Sequence, residues 1–188
     1  DDMLRTSSET FLGVTAGCAR CHDHMFDPIP QKEYYEMLSF FRSAKPYPDG
    51  FLEIADGKAM AITEHGPDPL DTFIMVRGNA GRPPTKVEPR FPTFLGGGKP
   101  SPVPTEQSTG LRRSFAKWIA SDASSLAARV MANRVWHYHF GKGIVTTPND
   151  FGRAGEPPSD IRLLNWLARE LIQGGWSIKH LHRVIMQS

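Results

Sequence analysis

Two thiols and an imidazole stand within five residues at Cys18-Ala19-Arg20-Cys21-His22, and these are the chain's only cysteines. Three positions apart on one turn, the thiols point the same way and can form thioether bonds to the two vinyl groups of one porphyrin. His22 can then turn its imidazole onto the iron as the proximal ligand. With 7 His among 188 residues, a histidine would follow the second cysteine by chance about once in 27 cases, so the spacing is a specific signal. It implies haem c held by Cys18 and Cys21 and ligated by His22.

The same residues admit other chemistry. A redox dithiol usually precedes a helix in a strand-rich fold, whereas the pattern before Cys18 is helical. A zinc or iron clip would draw on Cys18, Cys21, His22 or His24 and a carboxylate such as Asp27, but no second cysteine pair is left to complete a strong zinc motif. A disulfide or metal clip within a non-catalytic interaction module of a secreted assembly is therefore the alternative.

His24 cannot share the haem with His22 from the opposite face. Ligands on opposite faces need Cα atoms ~12 Å apart, and two residues span only ~7 Å. A bond to Asp23, Asp27 or a propionate, or plain solvent exposure, is what remains for it. Among groups farther along, Met37 and Met75 fall in apolar patterns and read as core, and His65 sits in a turn beside Gly66-Pro67. His137 and His139 lie in the carboxyl half. The distal position is assigned to Met60 or to no protein group.

The elements that must position these residues follow from periodicity. Phe11, Leu12, Thr15 and Cys18 recur at helical intervals, so a helix is expected to carry the cysteines out at its end. After Asp27-Pro28-Ile29-Pro30, Gln31 to Arg42 places Tyr34, Tyr35, Leu38 and Phe41 on one helical face. The Gly- and Pro-rich middle offers strands at Lys58 to Thr63 and Thr72 to Arg77, with Pro83-Pro84, Gly96 to Gly98 and Pro100 to Pro104 as connector. Beyond it, Leu111, Phe115, Trp118 and Ile119 share a helical face. Ser124 is expected to cap the next helix, which Gly141 ends. Ser159 is expected to cap a third helix through Ile161, Leu164, Leu167 and Leu171, closed by Gly174-Gly175, and Ser177 a fourth. Phe115, Trp118, Val130, Val135, Leu164, Leu167 and Leu171 should form one core, edged by Trp136, Trp166 and Trp176. The loop from Asn149 to Ser159, with Asp150, Arg153 and Glu156, reads as turn caps and loop ties.

The predicted fold is mainly α. A haem-attachment region at 1–45 leads through a junction with short strands at 46–105 to a helical bundle at 106–188. A net charge of +2 provides no field for nucleic acid or an anionic membrane, and no apolar run approaches the ~20 residues of a span. The polar start at Asp1 and the open helical pattern at Ser188 read as a piece of a longer chain.

Gly17 to His24, followed by Phe26-Asp27-Pro28-Ile29-Pro30 and Tyr34-Tyr35, resembles the cytochrome-type domain of a large family of planctomycete secreted proteins. Asn133-Arg134-Val135-Trp136, His139-Phe140-Gly141, Gly143-Ile144-Val145, Thr147 to Arg153 and Gly155 to Ser159 resemble the domain that usually follows it. Met25 departs from the lysine expected in such proteins. The resemblance implies a periplasmic or secreted bacterial protein with no established reaction attached to either domain. Nothing in the residues argues for an enzyme: there is no Ser-His-Asp order, phosphate-cradling loop or convincing carboxylate pair. The expected role is electron transfer or redox sensing, with a redox partner protein or the rest of a longer chain as partner.

Overall fold

A computed structural model describes residues 1–45, 51–75, 85–121 and 125–188. About 46% is helical, and the described residues hold six α-helices and two two-stranded antiparallel sheets. The expected cap Ser124, the strand residues Val76 and Arg77, and the turn at Pro83-Pro84 lie outside the described residues. Two compact units are not consecutive along the chain. The first comprises Asp1–Cys18, His24–Pro28 and Trp118–Ser188, and the second Ala19–Asp23 and Ile29–Lys117.

In the first unit, α1 (Asp2–Ser7) runs into a π-turn at Ser8–Leu12 and stops at Gly13, which has φ of 58°. The single helix expected to reach Cys18 is thus broken five residues early. The cause is tertiary as well as local. A Cβ on Gly13 would lie 2.8 Å from the Phe151 ring and 2.9 Å from Val130, and the Gly13 carbonyl accepts the Phe151 N–H at 2.7 Å. Only glycine suits this left-handed, closely approached position. Leu12 is buried while Phe11 stays exposed.

Three helices build the rest of this unit: α4 (Ser125–Phe140), α5 (Ile161–Gln173) and α6 (Ile178–Met186). Leu164, Leu167 and Leu171 recur on one face of α5 and join Ala132, Val135, Ile144, Val145, Leu181 and Ile185 in the core. Trp136 and Trp176 pack at its edge, whereas Trp166 is exposed. The cap of α5 is Asp160, not Ser159: its Oδ1 accepts the N–H groups of Leu163 and Arg162. Those bonds, together with the Arg162 charge, hold its carboxyl below the usual range. Ser159 instead binds the Ile144 carbonyl through both its N–H and its hydroxyl. At the far end Gly175 and Trp176, with φ of 65° and 61°, reverse the chain, and Ser177 caps α6 by accepting from His180.

The second unit centres on α2 (Gln31–Leu38), opened by Pro30 and continued by a short 3-10 turn at Ser39–Phe41. Its buried face carries Tyr34, Tyr35, Met37 and Phe40: Met37 is core as read, and Phe40 takes the place predicted for Phe41. The tighter turn at Ser39 shifts the register of that face. Phe40 stacks on Phe91 and meets Phe115, the latter from α3 (Leu111–Ile119). Phe115 therefore serves the aromatic core of this unit and not the helical bundle. Two hairpins complete it. Strands β1 (Phe51–Ile54) and β2 (Gly57–Met60) pair through a two-residue turn, and β3 (Thr72–Ile74) pairs with β4 (Thr85–Val87). The predicted strand over Lys58 to Thr63 stops at Met60. Its last residues are drawn instead towards Ser43 to Lys45, where Lys45 donates to the Thr63 carbonyl and His65 to that of Ser43.

Candidate functional site

Cys18 lies in a 3-10 turn, Ala16–Arg20, where its N–H donates to the Thr15 carbonyl; Cys21 and His22 follow directly. Both thiols are free and exposed. His22 is exposed too, and its Nδ1 lies 2.6 Å from the Asp23 carbonyl oxygen. A carbonyl only accepts, so Nδ1 carries the proton and the Nε2 lone pair remains available to a ligand. Around ligating histidines, the nitrogen away from the metal commonly donates to a carbonyl in this way.

Neighbouring groups hold this turn in place. The Asp23 carboxylate accepts the Gln31 N–H at 2.7 Å, and the Gln31 amide donates to the Arg20 carbonyl at 2.9 Å and the Met75 carbonyl at 3.3 Å. Tyr35 Oη bridges the same two carbonyls. Burial pushes its phenol above 10.0, with the Cys21 charge adding to the rise and the Met75 bond and Arg20 charge opposing it. Met60, the expected distal ligand, ends β2 with 68% of its surface exposed, while Met75 has its carbonyl beside that of Arg20 through Gln31 and Tyr35.

His24 is engaged differently. Its Nδ1 accepts the N–H groups of Asp27 (2.9 Å) and Phe26 (3.3 Å), which puts the proton on Nε2, facing the Thr15 hydroxyl at 3.1 Å. With both nitrogens occupied and 3% of its side chain exposed, it is an internal brace and neither a ligand nor a solvated histidine.

Asp27 links two of the motifs read from the sequence. Its Oδ1 accepts the Arg153 N–H at 2.8 Å, and its buried Oδ2 has no hydrogen-bond partner and faces His24 Nδ1 at 3.8 Å. A Cβ on Gly152 would fall 2.4 Å from Oδ2 and 2.5 Å from Oδ1, so any larger residue there requires the Asp27 carboxylate to shift. Gly152→Ala should therefore cost about 1 to 3 kcal/mol by overpacking. Asp27→Ala should recover part of that loss in the double variant, read as a less-than-additive shift in urea midpoint.

Around that contact the Asn133 to Arg153 motifs do structural work. Asn133 clamps both the N–H and the carbonyl of Val145, and Arg134 donates to the Glu9 carbonyl and to Asn149. Asp150 closes a turn onto the Gly152 N–H. An open groove of about 350 Å³ beside them is lined by Phe151, Gly152, Glu156, Pro157, Pro158 and Arg129 among others. Arg129 is already bonded to Asn165 and Ser125.

Residues 1–46 match the PSCyt2 family model, and residues 111–188 match that of PSD1. Each is described as a protein of unknown function, DUF1549 and DUF1553 respectively, with names typical of planctomycete proteins. No curated protein and no solved structure matches the chain. The cysteine turn, His22, His24 and Asp27 all fall within the PSCyt2 match, and Gly152 and Arg153 within the PSD1 match. The described residues hold no group of three or more His, Cys, Asp or Glu placed to bind a metal ion, and no helix among them is long and apolar enough to cross a membrane.

Asp27 was legible as a possible clip carboxylate or a partner for His24, and its N–H does donate to His24 Nδ1, but its contact with the Gly152-Arg153 segment was not, and neither was the role of Gly152. A glycine directly after an aromatic in a loop rich in turn formers was the available hint. Which group crowds it is a tertiary fact.

Proposed function

We propose that the chain is a c-type haem-binding, exported protein acting in electron transfer or redox sensing. The observation that carries this reading is His22: its Nδ1–H is committed to the Asp23 carbonyl and its Nε2 is left for iron, one residue from a free, exposed thiol. These residues fit the group. Cys18 and Cys21 would hold the porphyrin through thioether bonds, and His22 would ligate the iron. Bound there, haem c supplies one-electron chemistry.

The chain's own residues do the positioning. Asp23 orients the His22 ring through its carbonyl and steadies the start of α2 through its carboxylate. Gln31 and Tyr35 hold the Arg20 carbonyl and so fix the backbone leading into Cys21. The exposure of the thiols leaves room for attachment after folding or export, and the same exposure leaves the site open to a redox partner protein or to the rest of a longer chain. Met60 is the proposed distal ligand, with no protein ligand as the other outcome.

Protein exported by cells that mature c-type cytochromes is expected to show a Soret band that survives acid-acetone extraction. Cys18→Ser should leave at most one thioether link, and Met60→Ala should change the spin state if Met60 holds the sixth position. Met75→Ala is the comparison. Haem that extracts freely, or colourless exported protein with free thiols, overturns the reading.

A further inference from the structure

On the first unit, far along the chain from the cysteine turn, two imidazoles meet across helices. His139 stands in the last turn of α4, exposed to solvent, and His182 is half-buried on α6. His139 Nε2 and His182 Nδ1 are 2.6 Å apart, with the ring planes at 64°. At that separation one nitrogen must carry the hydrogen that the other accepts. With each ring in the tautomer that carries its hydrogen on the far nitrogen, two lone pairs converge on one point at the protein surface.

We propose that His139 and His182 form an interhelical two-histidine site for a divalent transition cation of the Zn2+ or Cu2+ class. Imidazole nitrogen is a preferred donor for both ions. Bonds of ~2.0 to 2.1 Å in a tetrahedral site set the two nitrogens ~3.3 Å apart, so the rings need to part by only ~0.7 Å. His139 has the freedom to do this, since it is exposed and one residue from the end of α4, where Gly141 at φ of 74° stops the helix. His182, half-buried on α6, supplies the less mobile half.

Of the neighbouring histidines, His137 lies two residues before His139 and so on another side of α4, with its buried Nδ1 lacking a hydrogen-bond partner. His180, two residues before His182 and so on another side of α6, pairs with Glu170 at 3.4 Å. With two protein ligands, the remaining coordination positions fall to water or to an anionic donor from another molecule. Such an open site binds metal without closing it in, and the ion would pin the end of α4 to α6. The site is independent of haem at the cysteine turn.

The test is titration of the full chain with Cu2+ alone, followed by electron paramagnetic resonance, alongside His139→Ala and His182→Ala. Because Cys18, Cys21 and His22 also attract copper, the quantity read is the difference between wild type and variants. Wild type should hold one more equivalent than either variant, with coupling to two nitrogens, and each variant should weaken that equivalent at least ~10-fold. Zn2+ should raise the thermal midpoint of wild type more than that of His139→Ala, an exposed substitution that leaves the fold intact. Equal stoichiometry and nitrogen coupling in wild type and His139→Ala would overturn the proposal.

Discussion

Glu64→Ala is expected to destabilise the second unit by about 2 to 3 kcal/mol, more than any other single carboxylate change in it. The carboxylate has 1% of its side chain exposed and serves four donors: Arg112 Nε at 2.6 Å, the Thr109 N–H at 2.7 Å and hydroxyl at 2.8 Å, and the Ser108 hydroxyl at 3.1 Å. These groups form the start of α3, and Arg112 reaches on to the Ile62 carbonyl. Removing the acceptor strands a buried backbone N–H and separates a largely buried ion pair, for which losses of ~3 to 5 kcal/mol are usual. The 26% exposure of Arg112 lowers the figure, because water can partly replace its partner.

The same cluster predicts an acid limb. Burial alone would push Glu64 upward, but the donation from Arg112, Thr109 and Ser108 outweighs it, and its carboxyl sits below the usual 4.5. A folded-state value below the unfolded one means that the stabilisation is complete above pH 4.5 and is lost as pH falls through the lower folded value. Glu64→Gln keeps an acceptor for Thr109 but has no charge to titrate. It should be less damaging than alanine and should flatten the decline in urea midpoint below about pH 4.5. A wild-type acid limb unchanged in Glu64→Gln would assign it to other carboxylates.

Leu167→Ala is the largest expected loss in the first unit, between about 2 and 5 kcal/mol. Leu167 is 1% exposed and lies between Leu164 and Leu171 on the buried face of α5, in the core shared by α4, α5 and α6. Truncation leaves a cavity whose walls belong to three helices, so it closes poorly. All four tryptophans, Trp118, Trp136, Trp166 and Trp176, belong to this unit, whereas Tyr34 and Tyr35 belong to the other. Unfolding followed by tryptophan emission should therefore shift strongly in Leu167→Ala and little in Glu64→Ala. Shifts of equal size in both would show that the two units unfold as one cooperative body.

Periodicity and caps made much of the local structure readable from the chain alone. The three-residue and four-residue recurrence in α5, the serine that caps α6, and the glycines at 141 and 174 to 175 act through neighbours in sequence, so no distant contact was needed to place them. The cysteine motif is local in the same sense: the chemistry of Cys18, Cys21 and His22 depends on residues a few bonds apart. What the sequence could not contain is the choice among equally good local partners. Ser159 and Asp160 are both capping residues, and the Ile144 carbonyl, fifteen residues upstream, takes Ser159 and leaves the cap to Asp160. Gly13 breaks a sound helical pattern because Phe151 and Val130 leave no space for a side chain, and Phe115 leaves the bundle because Phe40 and Phe41 offer it a ring-lined core. In each case a contact separated widely along the chain outweighs a local preference. Burial and close packing act on neighbours in space, and only the folded chain decides who those neighbours are.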